Sequence, residues 1–81
     1  MNQAIQIQDG YTVENETMCI QLIVSGLMME CHISAVPLAE MQAYYMTYQF
    51  DLEEIISDLA EREVWNEDGI IHINSQSLSK L

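Results

Sequence analysis

TMCIQLIVSGLMMECHIS, residues 17–34, predicts a β-hairpin whose turn is Ser25-Gly26. If Val24 pairs with Leu27, the alternation of side chains along both strands separates them into two faces. One face is entirely apolar and contains Met18, Ile20, Leu22, Val24, Leu27, Met29, Cys31 and Ile33. The other face contains Cys19, Gln21, Ile23, Met28, Glu30, His32 and Ser34. This register predicts a sheet with one buried face and one face that meets water or a partner.

The two ends of the chain predict further strands. In residues 5–13, isoleucines alternate with glutamines before an Asp9-Gly10 turn, so a first strand or a short hairpin is expected. Residues 70–73, IIHI, predict a closing strand. The polar residues 75–81 predict a frayed C-terminal tail.

Two helices are expected between the hairpin and the closing strand. Ser34 is a suitable N-cap for the first helix, which extends to about Tyr48. Asp51 caps the second helix, and Glu54 completes a capping box with it. The apolar stripes are Leu38, Met41, Tyr45 and Tyr48 in the first helix and Leu52, Ile55, Ile56 and Leu59 in the second.

These elements predict an α+β fold in which two helices cover one face of a small antiparallel sheet, built from the hairpin and the two terminal strands. A chain of 81 residues forms one domain, here residues 1–74, followed by the tail 75–81. Its 49% hydrophobic residues are typical of a globular domain and too many for a disordered acidic chain.

Four short blocks of the sequence also resemble a known family. They are MNQAI at residues 1–5, CHIS at 31–34, FDLEE at 50–54 and EDG at 67–69. In this order they are similar to a small proteobacterial family catalogued as domain of unknown function 1488. The resemblance implies a small α+β fold and no assigned activity.

The charge is the strongest functional signal in the sequence. Thirteen acidic residues against two basic ones give a formal charge of -11, and eight of the carboxylates fall within residues 51–68. Such a chain repels polyanions and attracts positively charged proteins, so direct nucleic-acid binding is not expected. The sequence also has no bilayer-length apolar stretch and no export signal, which predicts a cytoplasmic protein without membrane contact.

The carboxylates of residues 51–68 predict a partner-binding surface. Solubility is normally achieved with mixed charges, whereas here Glu54 and Asp58 repel each other at helical spacing and only Asp58 with Arg62 attracts. The expected partner-binding residues are Glu53, Glu54, Asp58, Glu61, Glu63, Glu67 and Asp68, with Tyr44 and Trp65 as aromatic anchors. A helix face that is only solvated explains the same pattern and remains an alternative.

The expected function is non-enzymatic protein binding. Spaced carboxylates on a rigid helix can replace phosphates in a basic groove, so the protein would inhibit or regulate a nucleic-acid-handling protein. Phage inhibitors of bacterial defence nucleases, including anti-CRISPR proteins, are similar in size and charge only. The alternative is a structural domain that self-associates, with Ile23 and Met28 in a homodimer interface and its acidity serving solubility.

Cys19 and His32 are cross-strand neighbours in this register. A thiol beside an imidazole suits a nucleophile or a zinc site, but a structural zinc needs four ligands and His72 is the only other conventional nitrogen ligand. We therefore expect ordinary sheet residues here, with no catalytic residue, no metal and no cofactor. Cys31 lies on the opposite face, so this register excludes a disulfide with Cys19.

Overall fold

The computed structural model describes residues 4–74, which form a five-stranded sheet with one helix packed on one face. The strands are β1 (Ile5–Ile7), β2 (Thr12–Glu14), β3 (Thr17–Val24), β4 (Leu27–Ile33) and β5 (Ile70–Ile73). A 3₁₀ turn (Leu38–Glu40) leads directly into the helix α1 (Met41–Glu61). The α+β class is confirmed, and the expected tail 75–81 lies outside the described residues.

The central hairpin has the predicted register. β3 and β4 pair from Met18 with Ile33 to Val24 with Leu27. Ser25 and Gly26 both have positive φ angles, of 51° and 87°, as a type I′ turn requires. Of the eight residues on the predicted apolar face, six are buried; Met29 is half-buried and Leu27, beside the turn, is exposed.

Of the two alternatives expected at the N-terminus, the first strand is present as β1, whereas β1 and β2 do not pair with each other as a hairpin. Both pair with β3 along the same edge, β1 near Val24 and β2 near Met18. Residues 8–11 lie opposite only two residues of β3 and therefore bulge out of the edge. The Gly10 N–H donates a 2.7 Å hydrogen bond to the Tyr45 hydroxyl, which ties the bulge to the helix.

The two expected helices form one continuous element. Tyr48 (φ −115°, ψ 18°) is the only non-helical residue inside α1 and marks a kink. Asp51 lies inside α1, so the Asp51-Glu54 capping box is wrong, and Ser34 caps no helix because the 3₁₀ turn begins four residues later. Residues 41–61 contain neither glycine nor proline, the two residue types that most strongly disfavour a helix interior, so the helix continues through Asp51.

The core lies between α1 and the apolar face of the hairpin. Met41, Leu52, Ile56 and Ala60 are the buried residues of α1. Tyr45, Tyr48, Ile55 and Leu59 are partly buried and pack against them, whereas Leu38 of the predicted stripe is 53% exposed. The full buried cluster is Met18, Ile20, Leu22, Val24, Cys31, Ile33, Val36, Met41, Leu52, Ile56, Ala60, Ile71 and Ile73.

The closing strand corrects the all-antiparallel expectation. β5 pairs in parallel with β4, with Ile71 beside Cys31 and Ile73 beside Ile33. Parallel neighbours need a long crossover connection, and α1 supplies it. The Ser34 N–H donates to the carbonyl of Ile73 over 3.1 Å, which continues the pairing past the end of β4.

Candidate functional site

The predicted carboxylates do line α1 and the segment after it. We call Glu53, Glu54, Asp58, Glu61, Glu63, Glu67 and Asp68 the acidic helix surface. Six of them are exposed, and Glu53 is half-buried. Glu54, Asp58 and Glu61 recur at spacings of four and three on the solvent side of α1, so one helix holds their carboxylates in a fixed row.

The predicted pair between Asp58 and Arg62 is present. Asp58 Oδ2 lies 2.9 Å from a guanidinium nitrogen of Arg62, and both side chains are more than half exposed. Pairs of this kind contribute little to folding, about 0.3–0.5 kcal/mol. Arg62 is also the only Lys or Arg within residues 4–74, so Glu54 and Glu61 have no cationic side chain of their own.

The end of α1 orients the last carboxylates. The N–H groups of Glu63 and Val64 donate to the carbonyls of Ala60 and Leu59, which is a Schellman motif. Glu63 occupies its left-handed position, with φ 56°. Asp68 accepts a 3.0 Å hydrogen bond from the Ile70 N–H, so this carboxylate stabilises the turn before β5.

The predicted aromatic anchors are less accessible than expected. Tyr44 and Trp65 are both half-buried and pack against the core, and the Tyr44 ring centroid lies 4.7 Å from that of Tyr48. Burial, followed by the charges of Tyr48 and Asp51, raises the pKa of Tyr44. Neither side chain offers its whole ring to a partner.

Sequence reasoning missed two strongly exposed apolar side chains on α1. Met46 is 72% exposed and Phe50 is 81% exposed. They precede Glu54 and Asp58 at regular spacings of four, so the sequence of one continuous helix contained the signal. The solvent side of α1 therefore carries apolar residues in its first half and carboxylates in its second.

The other face of the sheet forms a second candidate surface. It carries alternate residues of the strands and is opposite to α1; within residues 4–74 no helix covers it. We call it the open sheet face. The two residues predicted for self-association, Ile23 and Met28, lie here as a direct cross-strand pair. Ile23 is half-buried and Met28 is 62% exposed.

Cys19 and His32 also lie on the open sheet face, and two carboxylates join them. One ligand atom from each of Glu14, Cys19, Glu30 and His32 lies within 4.8 Å of the others. The Cys19 thiol donates to Glu14 Oε2 over 3.7 Å, and His32 Nε2 lies 3.0 Å from Glu30 Oε1. Cys19 is only 3% exposed, although it lies on the face of the sheet that α1 does not cover.

These contacts do not favour a thiol-imidazole nucleophile. The thiol and the imidazole each pair with a carboxylate, and burial, reinforced by Glu14, raises the pKa of Cys19. A thiolate is therefore disfavoured. His72 pairs in register with His32, with ring centroids 5.7 Å apart, but it does not belong to the four-residue cluster.

The sequence contained only part of the signal for this cluster. Glu30 lies two residues before His32 on one strand, so period-two alternation placed both on the same face. Glu14 was missed, because β2 pairs with β3 through the Asn15-Glu16 turn, in which Glu16 stands where such turns usually have glycine. Cys31 lies on the apolar face as expected, and both cysteines are free.

Residues 4–74 include no helix that combines the length and the apolar character needed to cross a membrane.

No protein-family profile and no curated protein matches the chain. Among solved structures, it is similar to a protein of unknown function from the DUF1488 family of Shewanella loihica PV-4, with a TM-score of 0.73 and 20% identity. The match covers 90% of this chain and 94% of that one. The chain therefore has the fold of a DUF1488 protein, the family that its sequence blocks resemble.

Proposed function

We propose that the protein is a non-enzymatic binding module whose acidic helix surface occupies a basic, nucleic-acid-binding groove of a partner protein and thereby inhibits or regulates it. The observation that carries this proposal is the solvent side of α1. Exposed Met46 and Phe50 lead into Glu54 and Asp58 along one helix. In its most concrete form, the partner is a bacterial nucleic-acid-handling protein and the module acts as anti-CRISPR inhibitors do.

The spacing of the carboxylates supports the comparison with nucleic acid. Residues four apart on a helix are separated by about 6 Å along its axis. This is roughly twice the 3.4 Å rise between phosphates of one strand, so the spacing of Glu54 and Asp58 matches that of alternate phosphates in scale. Lys and Arg side chains arranged for a phosphate backbone also bind carboxylates with charge-assisted hydrogen bonds.

The exposure of Phe50 favours a binding face over a face that is only solvated. Solubility explains exposed carboxylates, but it does not explain an aromatic ring that is 81% exposed beside them. Interfaces commonly combine aromatic side chains at their centre with a polar rim. We infer that Phe50 and Met46 supply apolar contact and that the carboxylates supply orientation and rapid association.

We further propose that the protein is cytoplasmic and does not itself bind nucleic acid or membranes. Cys19 and Cys31 are both free, which suits a reducing compartment such as the cytoplasm. The net charge of -11 opposes direct binding of nucleic acid or of an anionic membrane.

A pull-down from nuclease-treated bacterial lysate tests the proposal. The bait is the wild-type protein, and the test variant carries Glu54→Gln, Asp58→Asn and Glu61→Gln. We expect the wild type to retain a nucleic-acid-handling protein and the variant to lose it, because the variant removes the central carboxylates. The matched control carries Asp9→Asn, Glu16→Gln and Glu40→Gln, which changes net charge equally away from this surface.

The control variant should retain the same protein as the wild type. Equal retention by all three baits would contradict the proposal. Equal loss from both variants would show that net charge, rather than the acidic helix surface, determines binding. The proposal would also be contradicted if no protein is retained by both the wild type and the control variant.

Self-association is the second candidate function, and the Ile23-Met28 pair favours it. This pair places apolar surface on the open sheet face, which a second copy could cover. Light scattering of the purified protein should then show a dimer that Met28→Lys converts to a monomer. A wild-type protein that stays monomeric at high concentration would rule this function out.

A further inference from the structure

The open sheet face carries the strongest concentration of metal-ligating chemistry within residues 4–74. Glu14, Cys19, Glu30 and His32 each direct one ligand atom into a volume in which no two of these atoms are more than 4.8 Å apart. This cluster lies across the sheet from α1, so it is separate from the acidic helix surface.

The fold assembles the cluster from three neighbouring strands. The register pairs Cys19 of β3 with His32 of β4, and Glu30 lies two residues before His32 on the same face. Glu14 of β2 lies opposite Thr17 of β3, which places Glu14 diagonally across from Cys19. Because paired strands hold all four Cα positions, their side chains meet without ordering a loop.

We propose that Glu14, Cys19, Glu30 and His32 bind one divalent transition-metal ion, with Zn²⁺ as the best fit. Thiolate, imidazole and carboxylate are the usual protein ligands of zinc, and four of them complete a tetrahedral structural site. Ca²⁺ and Mg²⁺ prefer six or more oxygen ligands, so a thiol and an imidazole among four ligands disfavour them.

The distances between the four ligand atoms fit such an ion after a small contraction of the cluster. Metal-ligand distances of about 2.0–2.3 Å separate tetrahedral ligand atoms by roughly 3.3–3.8 Å. The Cys19-Glu14 separation of 3.7 Å already lies in this range, and the His32-Glu30 separation of 3.0 Å is slightly shorter. With all separations at 4.8 Å or less, the contraction is about 1 Å and needs only side-chain adjustments.

The surroundings of the cluster support a cation. Two carboxylates face the same small volume, and the one Lys or Arg within residues 4–74 is Arg62, which pairs with Asp58. Cys19 is the deepest ligand at 3% exposure, so a metal bound there would be partly shielded from water. His72 lies edge-on to His32, with ring centroids 5.7 Å apart, and is not part of the ligand set.

Metal titration of the purified, chelator-treated protein tests this inference. Calorimetry with Zn²⁺ should show one equivalent bound. Co²⁺ in the same site should give a thiolate-to-metal charge-transfer absorption band. Cys19→Ser should abolish this band and weaken Zn²⁺ binding by at least about tenfold. Glu30→Gln, at a partly exposed position, should weaken binding without removing the band.

Three matched variants serve as controls. Cys31→Ala removes the other thiol, Glu16→Gln removes a nearby exposed carboxylate, and His72→Gln removes the neighbouring imidazole. Each should keep the band and one Zn²⁺ equivalent, with circular dichroism confirming the fold of every variant. The inference is overturned if Cys19→Ser retains the band or if the wild type binds Zn²⁺ no better than Cys19→Ser. It is also overturned if Cys31→Ala loses the band.

Discussion

Cys19 and Cys31 show how one residue type takes two environments in this fold. They lie on adjacent strands but on opposite faces of the sheet. Cys31 is fully buried beneath α1, and burial raises its pKa to about 12. Cys19 contacts Glu14 and stands among polar groups. Cys31 is therefore a small core residue, whereas Cys19 lies beside side chains that can bind a metal ion.

The buried Cys31 thiol predicts a dependence of stability on pH. The folded protein keeps this thiol protonated up to about pH 12, whereas the unfolded chain ionises near the ordinary value of 9.0. The contribution of the Cys31 thiol to the free energy of unfolding is therefore fully present below about pH 9 and decreases as the pH rises towards 12. Cys31→Ala lacks this dependence, and all other titrating groups are shared with the wild type.

Urea unfolding of the wild type and Cys31→Ala at about pH 8 and about pH 10 measures the effect. The stability advantage of the wild type should shrink by about 1 kcal/mol at the higher pH. An advantage that stays constant or grows would contradict the burial of the Cys31 thiol.

For individual residues, the sequence predicted which side chains belong to the apolar face but not how far each side chain is buried. Period-two alternation identified Cys31 as a core residue. It also placed Cys19 on the mixed face, where it lies. The burial of Cys19 depends on its neighbours in β2 and β4. β2 pairs with β3 locally through the Asn15-Glu16 turn, which was not predicted because Glu16 stands where such turns usually have glycine.

At the scale of elements, α1 shows why two helices were expected where one exists. The stripe from Met41 through Tyr45 and Tyr48 to Leu52 keeps its helical spacing across the kink. Asp51 is a residue type that commonly caps a helix, and this predicted that a second helix starts there. In the structure Asp51 lies inside α1 and caps no helix. Without glycine or proline, hydrogen bonding continues and only Tyr48 deviates.

The end of α1 predicts a preference for glycine over alanine at position 63. Glu63 adopts a left-handed conformation, with φ 56°, at the position where glycine is most common. Glu63→Gly should be more stable than Glu63→Ala by about 1 kcal/mol, because only glycine adopts this conformation without strain. Both variants remove the same side chain, so their difference isolates the backbone. Equal unfolding free energies in urea would contradict the Schellman ending.

At the scale of the whole molecule, two surfaces lie on opposite sides of one sheet. The acidic helix surface and exposed Phe50 lie on α1, and the four-residue cluster lies on the open sheet face. The hairpin register and the apolar pattern were sufficient to predict this layering. The parallel position of β5 was not predictable locally, because it depends on how α1 crosses the sheet.

The dissociation constant of the recovered complex at low and at moderate salt tests whether the acidic helix surface replaces phosphates in the partner's groove. Carboxylates that replace phosphates in a basic groove should lose affinity as salt screens them, by about tenfold or more over this range. The Glu54→Gln, Asp58→Asn, Glu61→Gln variant should bind weakly at low salt and respond little to added salt. A wild-type dissociation constant that is the same at both salt concentrations would contradict binding through the carboxylates of the acidic helix surface.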